Sequence, residues 1–216
     1  AGVAAIAPEY RDAMAGVADA DSLVTNPHKW LFTTVDCSAF WTRRPDVLKR
    51  AFSLVADYLV TPADAQVVNY MDYGVQLGRR FRALKLWMVM RAFGTEGLAA
   101  RIRAHCDLAR DFASWIRDTP DWHVVAPVPY SLVCFRWQPD GVSDADADAS
   151  ILRRMHAVND TGEVFLSHTK LDGRIVLRLA IGNVRTTSSH VRRAYELLTS
   201  RDERDGRNGR DEPLKT

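Results

Sequence analysis

One lysine lies in surroundings that could make its amine a nucleophile. The segment around Lys29 reads Asn26-Pro27-His28-Lys29-Trp30. Pro27 restrains the backbone, and the two aromatic neighbours can partly desolvate the lysine, which favours the neutral amine that attacks an aldehyde. Because most lysines are solvated surface charges, spacing alone leaves both interpretations of Lys29 open.

Three further motifs follow in the chain, at Asp36–Ala39, Leu77–Trp87 and Val176–Ile181. Together with Asn26–Trp30 and in this order, they resemble the group II pyridoxal-phosphate decarboxylases. The likeness is greatest to the aromatic-L-amino-acid decarboxylase branch, which includes tyrosine, tryptophan and dihydroxyphenylalanine decarboxylases. It extends from about Ala1 to Leu198 and so leaves out only the tail.

The resemblance implies a cofactor, pyridoxal 5'-phosphate, and residues that hold it. Lys29 matches the lysine that forms a Schiff base with the cofactor and is displaced by the substrate amine. His28 and Asn26 match positions that contact the cofactor phosphate, and an imidazole and an amide can both donate to phosphate oxygens. The alternative is local bonding within the loop for Asn26 and a surface ring for His28.

The resemblance also implies a catalytic role for Tyr58. This residue matches the tyrosine of a mobile active-site loop in the family, where a phenol can protonate the substrate carbon after carbon dioxide leaves. Related aldehyde synthases have phenylalanine at this position, so the hydroxyl favours simple decarboxylation. The alternative for Tyr58 is an aromatic anchor at a loop hinge.

By resemblance the fold is α/β, the type I pyridoxal-phosphate (aspartate-aminotransferase-like) architecture. Residues 1–93 correspond to the C-terminal end of the large cofactor domain, with the lysine and the mobile loop. Residues 94–200 correspond to the small α+β domain. Residues 201–216 are dense in charge and poor in apolar side chains, which predicts a disordered tail.

The elements that must position these residues are predicted from hydrophobic periodicity. Leu31–Cys37 mixes β-branched and apolar residues and is predicted as a strand that continues through Ala39–Trp41, so that Lys29 lies on a loop between strands. Helical periodicity begins at Gly78, Gly94 is its expected end, and Thr95 is expected to begin a second helix. Beyond these helices, strands are predicted at 131–137, 163–168 and 174–180, and helices at 144–159 and 188–198.

Composition excludes several classes of function. The chain has 216 residues, 47% of them hydrophobic, and its net charge is +2 with the two signs interleaved, which disfavours nucleic acid and anionic membranes as partners. No stretch is apolar enough to span a bilayer, and residues 1–30 lack the order of a signal peptide. Three cysteines without a close pair favour a reducing cytoplasm, and no histidines or cysteines have the spacing of metal ligands.

These observations predict the decarboxylation of an aromatic L-amino acid to its amine and carbon dioxide by a homodimer. A group II decarboxylase for glutamate, histidine or diaminobutyrate is the alternative within the same class, although an acidic substrate would require a further cationic residue that the sequence does not reveal. The sequence begins at Ala1 within an apolar run, which suggests a fragment. The third hypothesis is therefore a non-catalytic remnant that lacks upstream cofactor residues.

Overall fold

The computed structural model describes residues 2–53 and 62–200, and the chain divides into two compact units, Ala1–Ile102 and Arg103–Thr216. Tyr58 and the predicted tail 201–216 lie outside the described residues. The domain assignment of 1–93 and 94–200 stays a prediction.

The first unit contains a two-stranded antiparallel ladder that encloses the lysine segment. Strand β1, Ser22–Thr25, pairs with β2, Ala39–Thr42, so that Thr25 lies opposite Ala39. The short helix α1, Pro27–Trp30, follows β1 directly. Among the described residues before residue 82, the other elements are helix α2, Pro45–Phe52, and the 3-10 turns Gly2–Ile6, Pro8–Met14, Val17–Asp19, Pro62–Ala65 and Tyr70–Tyr73.

The predicted strand at Leu31–Cys37 is wrong, and the continuation at Ala39–Trp41 is correct. Phe32 has a φ of 54°, in the left-handed region that an extended strand does not visit. The backbone N–H groups of Leu31 and Thr33 donate instead to the carbonyl of Pro27, at 3.2 and 3.4 Å. The residues after Lys29 therefore fold back onto α1.

Helix α3, Arg82–Arg117, is interrupted at Gly94, which has φ 62° and ψ 174°. The predicted end at Gly94 is thus a kink, and the helix starts at Arg82 and not at Gly78. The apolar face predicted for the second segment is buried, at Leu98, Ile102, Cys106, Ala109, Ala113 and Ile116. The face predicted for the first segment is exposed, at Leu77, Phe81, Leu84 and Met88.

The second unit is an antiparallel sheet with helices packed on it. Its strands lie in the order β3-β4-β6-β5, and α4 contacts both β4 and β6. The core includes Phe112, Phe135, Ile151, Leu177 and Leu198. The bounds are β3 Trp122–Val124, β4 Leu132–Trp137, α4 Asp144–Asp160, β5 Ser167–Leu171, β6 Arg174–Ala180 and α5 Ser188–Thr199.

The predicted hairpin between β5 and β6 is confirmed. Asp172 and Gly173 form its turn with φ values of 49° and 80°, the pair of positive angles that a two-residue hairpin of type I′ requires. The strand predicted at 163–168 lies instead at Ser167–Leu171, because residues 163–166 do not pair with β6 and residues 169–171 do. None of the helices within residues 2–53 and 62–200 has both the length and the hydropathy of a membrane span.

Candidate functional site

The pairing of β1 with β2 brings the two ends of the lysine segment together. Since Thr25 lies opposite Ala39, the next residues inward, Asn26 and Ser38, become neighbours. The Ser38 hydroxyl donates to Asn26 Oδ1 at 2.7 Å. Asn26 occupies the N-cap position of α1, yet its side chain makes no capping hydrogen bond. The amide is therefore oriented by Ser38 and not by the helix that it precedes.

Lys29 lies on a helical turn and not on the loop predicted from the sequence. Pro27 is compatible with the first position of a helix because its fixed φ suits that position and its missing N–H is not needed there. The backbone N–H of Lys29 donates to the carbonyl of Asn26 at 2.9 Å. This turn sets the directions in which the side chains of Asn26, His28 and Lys29 project from the backbone.

The His28 ring is held by the backbone of Cys37. Nδ1 lies 3.0 Å from the Cys37 nitrogen and 2.8 Å from the Cys37 carbonyl oxygen, and the His28 N–H donates to the same carbonyl at 3.3 Å. A neutral ring can accept from the Cys37 N–H, and a ring protonated on Nδ1 can donate to the carbonyl. Both arrangements occupy Nδ1 and leave Nε2 for another partner.

Two side-chain nitrogens remain on the helical turn that carries Lys29. Nε2 of His28 carries a proton when Nδ1 accepts from Cys37, and also when both ring nitrogens are protonated, and the Asn26 amide presents Nδ2 when Oδ1 accepts from Ser38. Neither nitrogen has a partner among the residues that the structure describes. In these protonation states, two donors on the turn that carries a lysine fit a phosphate ester that carries an aldehyde, the chemistry of pyridoxal phosphate.

The expected desolvation of Lys29 is not produced by the described part of the chain. The Lys29 side chain is exposed, although Trp30 and His28 are half-buried beside it. The backbone of α1 determines where the flanking aromatic side chains lie, and it does not require either ring to cover the amine. Any desolvation of Lys29 must therefore come from a further surface.

An ion-pair cluster next to the site was not predicted from the sequence. Asp36 accepts from Arg80 Nη2 at 2.6 Å and from Arg82 Nε at 2.9 Å. The hydrogen bond from Arg82 holds the pKa of the Asp36 carboxyl below its usual value. Both segments belong to the sequence motifs, but nothing in the spacing of residues 36 and 82 indicates that these two residues meet.

Arg79 contacts a different part of the first unit. Its Nη1 donates to the carbonyl of Tyr70 at 3.1 Å, and its guanidinium lies 5.9 Å from the centre of the Tyr70 ring. Tyr58, the second predicted catalytic residue, lies outside the described residues. Within the described ranges, no three His, Cys, Asp or Glu side chains form a group that could hold a metal ion.

The chain is similar to known proteins along most of its length. Residues 1–138 match the family model of the pyridoxal-dependent decarboxylase conserved domain. The chain is 43% identical to the phenylacetaldehyde synthase of Arabidopsis thaliana over 92% of this chain and 41% of the relative. It is 41% identical to a tryptophan decarboxylase of Camptotheca acuminata over 92% of this chain and 40% of the relative.

A solved structure shows the same arrangement of the backbone. Oryza sativa TDC with PLP and tryptamine superposes with a TM-score of 0.86 at 37% identity, over 91% of this chain and 41% of that chain. The chain thus spans about two fifths of the length of these relatives. The type I fold expected from the sequence is confirmed. Both the family model and the fold show that the chain belongs to the pyridoxal-dependent decarboxylases.

Proposed function

We propose that the protein containing this chain decarboxylates an aromatic L-amino acid to its amine and carbon dioxide. The observation that carries the proposal is a pair of side-chain nitrogens, Asn26 Nδ2 and His28 Nε2, which have no partner among the described residues and belong to the helical turn that carries Lys29. The similarity to a tryptophan decarboxylase and to a structure with tryptamine supports an aromatic substrate.

Lys29 would hold pyridoxal phosphate covalently through its amine, and His28 and Asn26 would donate to its phosphate. When bound, the cofactor supplies an electron sink for the pair of electrons that the departing carboxylate leaves behind. Donation from His28 and Asn26 would hold the phosphate, and Lys29 would bind the aldehyde. Tyr58 would then donate a proton to the substrate carbon that has lost its carboxylate.

The experiment is to reduce the protein with borohydride in the presence of pyridoxal phosphate and to map the pyridoxyl adduct by peptide mass spectrometry. We expect the adduct at Lys29 and its loss in Lys29→Ala. Lys49→Ala is the matched control, since Lys49 belongs to the same unit and contacts the Tyr73 ring. Labelling spread over Lys49, Lys85 and Lys170 and unchanged in Lys29→Ala would contradict the proposal and support the remnant hypothesis.

The substrate class is tested by amine release from separate amino acids. We expect turnover of L-tryptophan, L-tyrosine or L-phenylalanine, and a loss of roughly 10³-fold or more in Lys29→Ala because the covalent attachment disappears. Turnover of glutamate, histidine or diaminobutyrate with none of the aromatic substrates would replace the aromatic assignment and keep the decarboxylase one.

We propose further that the protein is a homodimer, with no nucleic acid and no membrane among its partners. The exposed apolar side chains of the first unit support this proposal. Isolated proteins rarely expose many large apolar groups, so a second protein surface is expected to cover them. Phe81 is 75% exposed, and Phe40 and Trp41 on β2 are about half exposed. Sedimentation velocity is expected to give twice the chain mass, and a monomer at micromolar concentration would refute the dimer.

We propose the cytoplasm as the compartment. The three cysteines are all in the described part of the chain, and none of them forms a disulfide there. Thiols that stay reduced are typical of a reducing compartment. Fractionation of the source cells is expected to recover the protein with the cytoplasmic markers, and recovery with a membrane or secreted fraction would contradict the assignment.

A further inference from the structure

The two donors proposed for the cofactor phosphate depend on one short segment. The backbone of Cys37 is hydrogen-bonded to Nδ1 of His28, and the Ser38 hydroxyl is hydrogen-bonded to Oδ1 of Asn26. Both partners belong to the connection between α1 and β2, which contains no helix or strand of its own. A connection of this kind holds a side chain in place only if the connection is itself anchored.

The anchor is the start of α3. Asp36 accepts from Arg82 Nε at 2.9 Å and from Arg80 Nη2 at 2.6 Å, and the Cys37 thiol donates to the backbone carbonyl of Arg82 at 3.9 Å. The Arg82 side chain is only 20% exposed, and Cys37 is buried. Two successive residues of the connection are thus tied to one residue of α3.

This anchor differs from an ordinary surface ion pair. The pair Arg50–Asp46 in the same unit joins two side chains of one helix, both more than 60% exposed, and fixes no other segment. Exposed pairs of that kind contribute little to stability. The Asp36–Arg82 pair links segments that are far apart in the sequence, and its neighbour Cys37 directly contacts a proposed phosphate ligand.

We infer that Asp36 and Arg82 are positioning residues for the cofactor phosphate, acting through Cys37 on His28 and through Ser38 on Asn26. The inference rests on the proposed function. In this inference the Asp36–Ala39 motif occupies Nδ1 of His28 and Oδ1 of Asn26, so that Nε2 and Nδ2 are left for the phosphate. The aldehyde end of the cofactor, which Lys29 binds, is not part of this task.

The test compares pyridoxal phosphate with pyridoxal, which has the aldehyde and no phosphate. The concentration that half-saturates borohydride trapping at Lys29 is measured for both probes in the wild type and in Asp36→Asn. For pyridoxal phosphate we expect that concentration to rise on the order of tenfold, the effect of losing one hydrogen bond to a charged group. For pyridoxal we expect no change, because it makes no phosphate contact.

Three variants serve as controls and as a second route. Asp46→Asn makes the same substitution in the exposed Arg50–Asp46 pair and should leave both probes unaffected. Asp36→Glu keeps the charge and should restore part of the phosphate-specific affinity. Arg82→Lys removes the guanidinium that contacts the Asp36 carboxylate and should give the same result as Asp36→Asn. This variant keeps the test valid if Asp36→Asn does not fold.

A readout without cofactor is the nitrogen spectrum of the histidine rings. In the wild type we expect His28, assigned by its loss in His28→Gln, to show two well-separated ring nitrogens, as for a single tautomer. In Asp36→Asn the two signals should move towards their average, since Nδ1 loses its fixed partner. Unchanged His28 signals in Asp36→Asn would overturn the inference.

The inference and the proposed function fail in different ways. If the wild type gives no adduct at Lys29, the proposed function fails. If the wild type is labelled at Lys29 and Asp36→Asn loses affinity equally for both probes, or for neither, the proposed function stands and the positioning role is overturned.

Discussion

At the scale of single residues, the hydrogen-bond partners of a side chain determine what it can offer a ligand. His28 and Asn26 each have one atom occupied by the segment that follows α1, and each retains one nitrogen without a partner among the described residues. An isolated imidazole or amide can turn either end to solvent. The neighbours of these two side chains therefore determine which of their atoms can bind a ligand.

Tyr58 gives a prediction at this scale. Tyr58→Phe removes the hydroxyl proposed to donate a proton and keeps the ring, so we expect amine formation to fall by about 10²-fold or more. The amine is quantified by chromatography after incubation with L-tyrosine.

Tyr70→Phe is the control for Tyr58→Phe. Tyr70 contacts Arg79 through its backbone carbonyl and its ring, and neither contact needs the hydroxyl. Equal effects of the two substitutions, or full amine formation by Tyr58→Phe, would remove Tyr58 from the proposed mechanism.

At the scale of elements, helix α4 depends on its first turn. Ser143 Oγ accepts from the backbone N–H of Asp146 at 3.2 Å, which satisfies one of the donors left open at a helix start. We expect Ser143→Ala to lower the free energy of unfolding by about 1 kcal/mol. Urea denaturation followed by circular dichroism measures the change.

Ser143→Asn provides the comparison, because asparagine caps helices about as well as serine. Its unfolding midpoint is expected to stay near that of the wild type. An equal loss of stability in both variants would show that the cap of α4 is not the cause.

Elements with local signals could be predicted from the sequence, and those set by distant contacts could not. Periodicity predicted α4, α5 and the second segment of α3, and the Asp-Gly step predicted the turn at Asp172 and Gly173. The composition of Leu31–Cys37 favoured a strand, but the left-handed Phe32 and the bonds to Pro27 overrode it. The motif around Lys29 provides three candidate site residues whose roles stay predictions, whereas the contact of Arg82 with Asp36 could be recognised only in the folded structure.

At the scale of the whole molecule, the two units differ in how their apolar side chains are used. The second unit closes a core around Phe112 and Phe135, which meet edge to face with ring centres 5.1 Å apart. The first unit leaves several large apolar side chains in solvent. Stability of the isolated chain is therefore expected to reside mainly in the second unit.

The stability of the second unit should depend on pH through His105. Burial lowers the pKa of His105, despite a hydrogen bond with the backbone of Asn183. The unfolded chain then binds a proton at its ordinary value of about 6.5, before the folded state does. The contribution of the neutral ring to the free energy of unfolding is therefore complete above about pH 6.5, the ordinary pKa. It is lost as the pH falls through the lower pKa of His105 in the folded state.

We therefore expect the urea midpoint to fall between about pH 7 and pH 5, and to fall less in His105→Gln, which cannot titrate. His156→Gln, at an exposed position on α4, should keep the wild-type dependence. If the profile of His105→Gln matches that of the wild type, another group causes the change.

Three of the six tryptophans lie at the two extremes of burial. Trp41 and Trp87 of the first unit are 54% and 57% exposed, and Trp122 of the second unit is 5% exposed. A collisional quencher such as acrylamide can reach the first two indoles and not the third. A partner that covers the first unit therefore reduces quenching of the tryptophan fluorescence by acrylamide. Opening of the core of the second unit increases it.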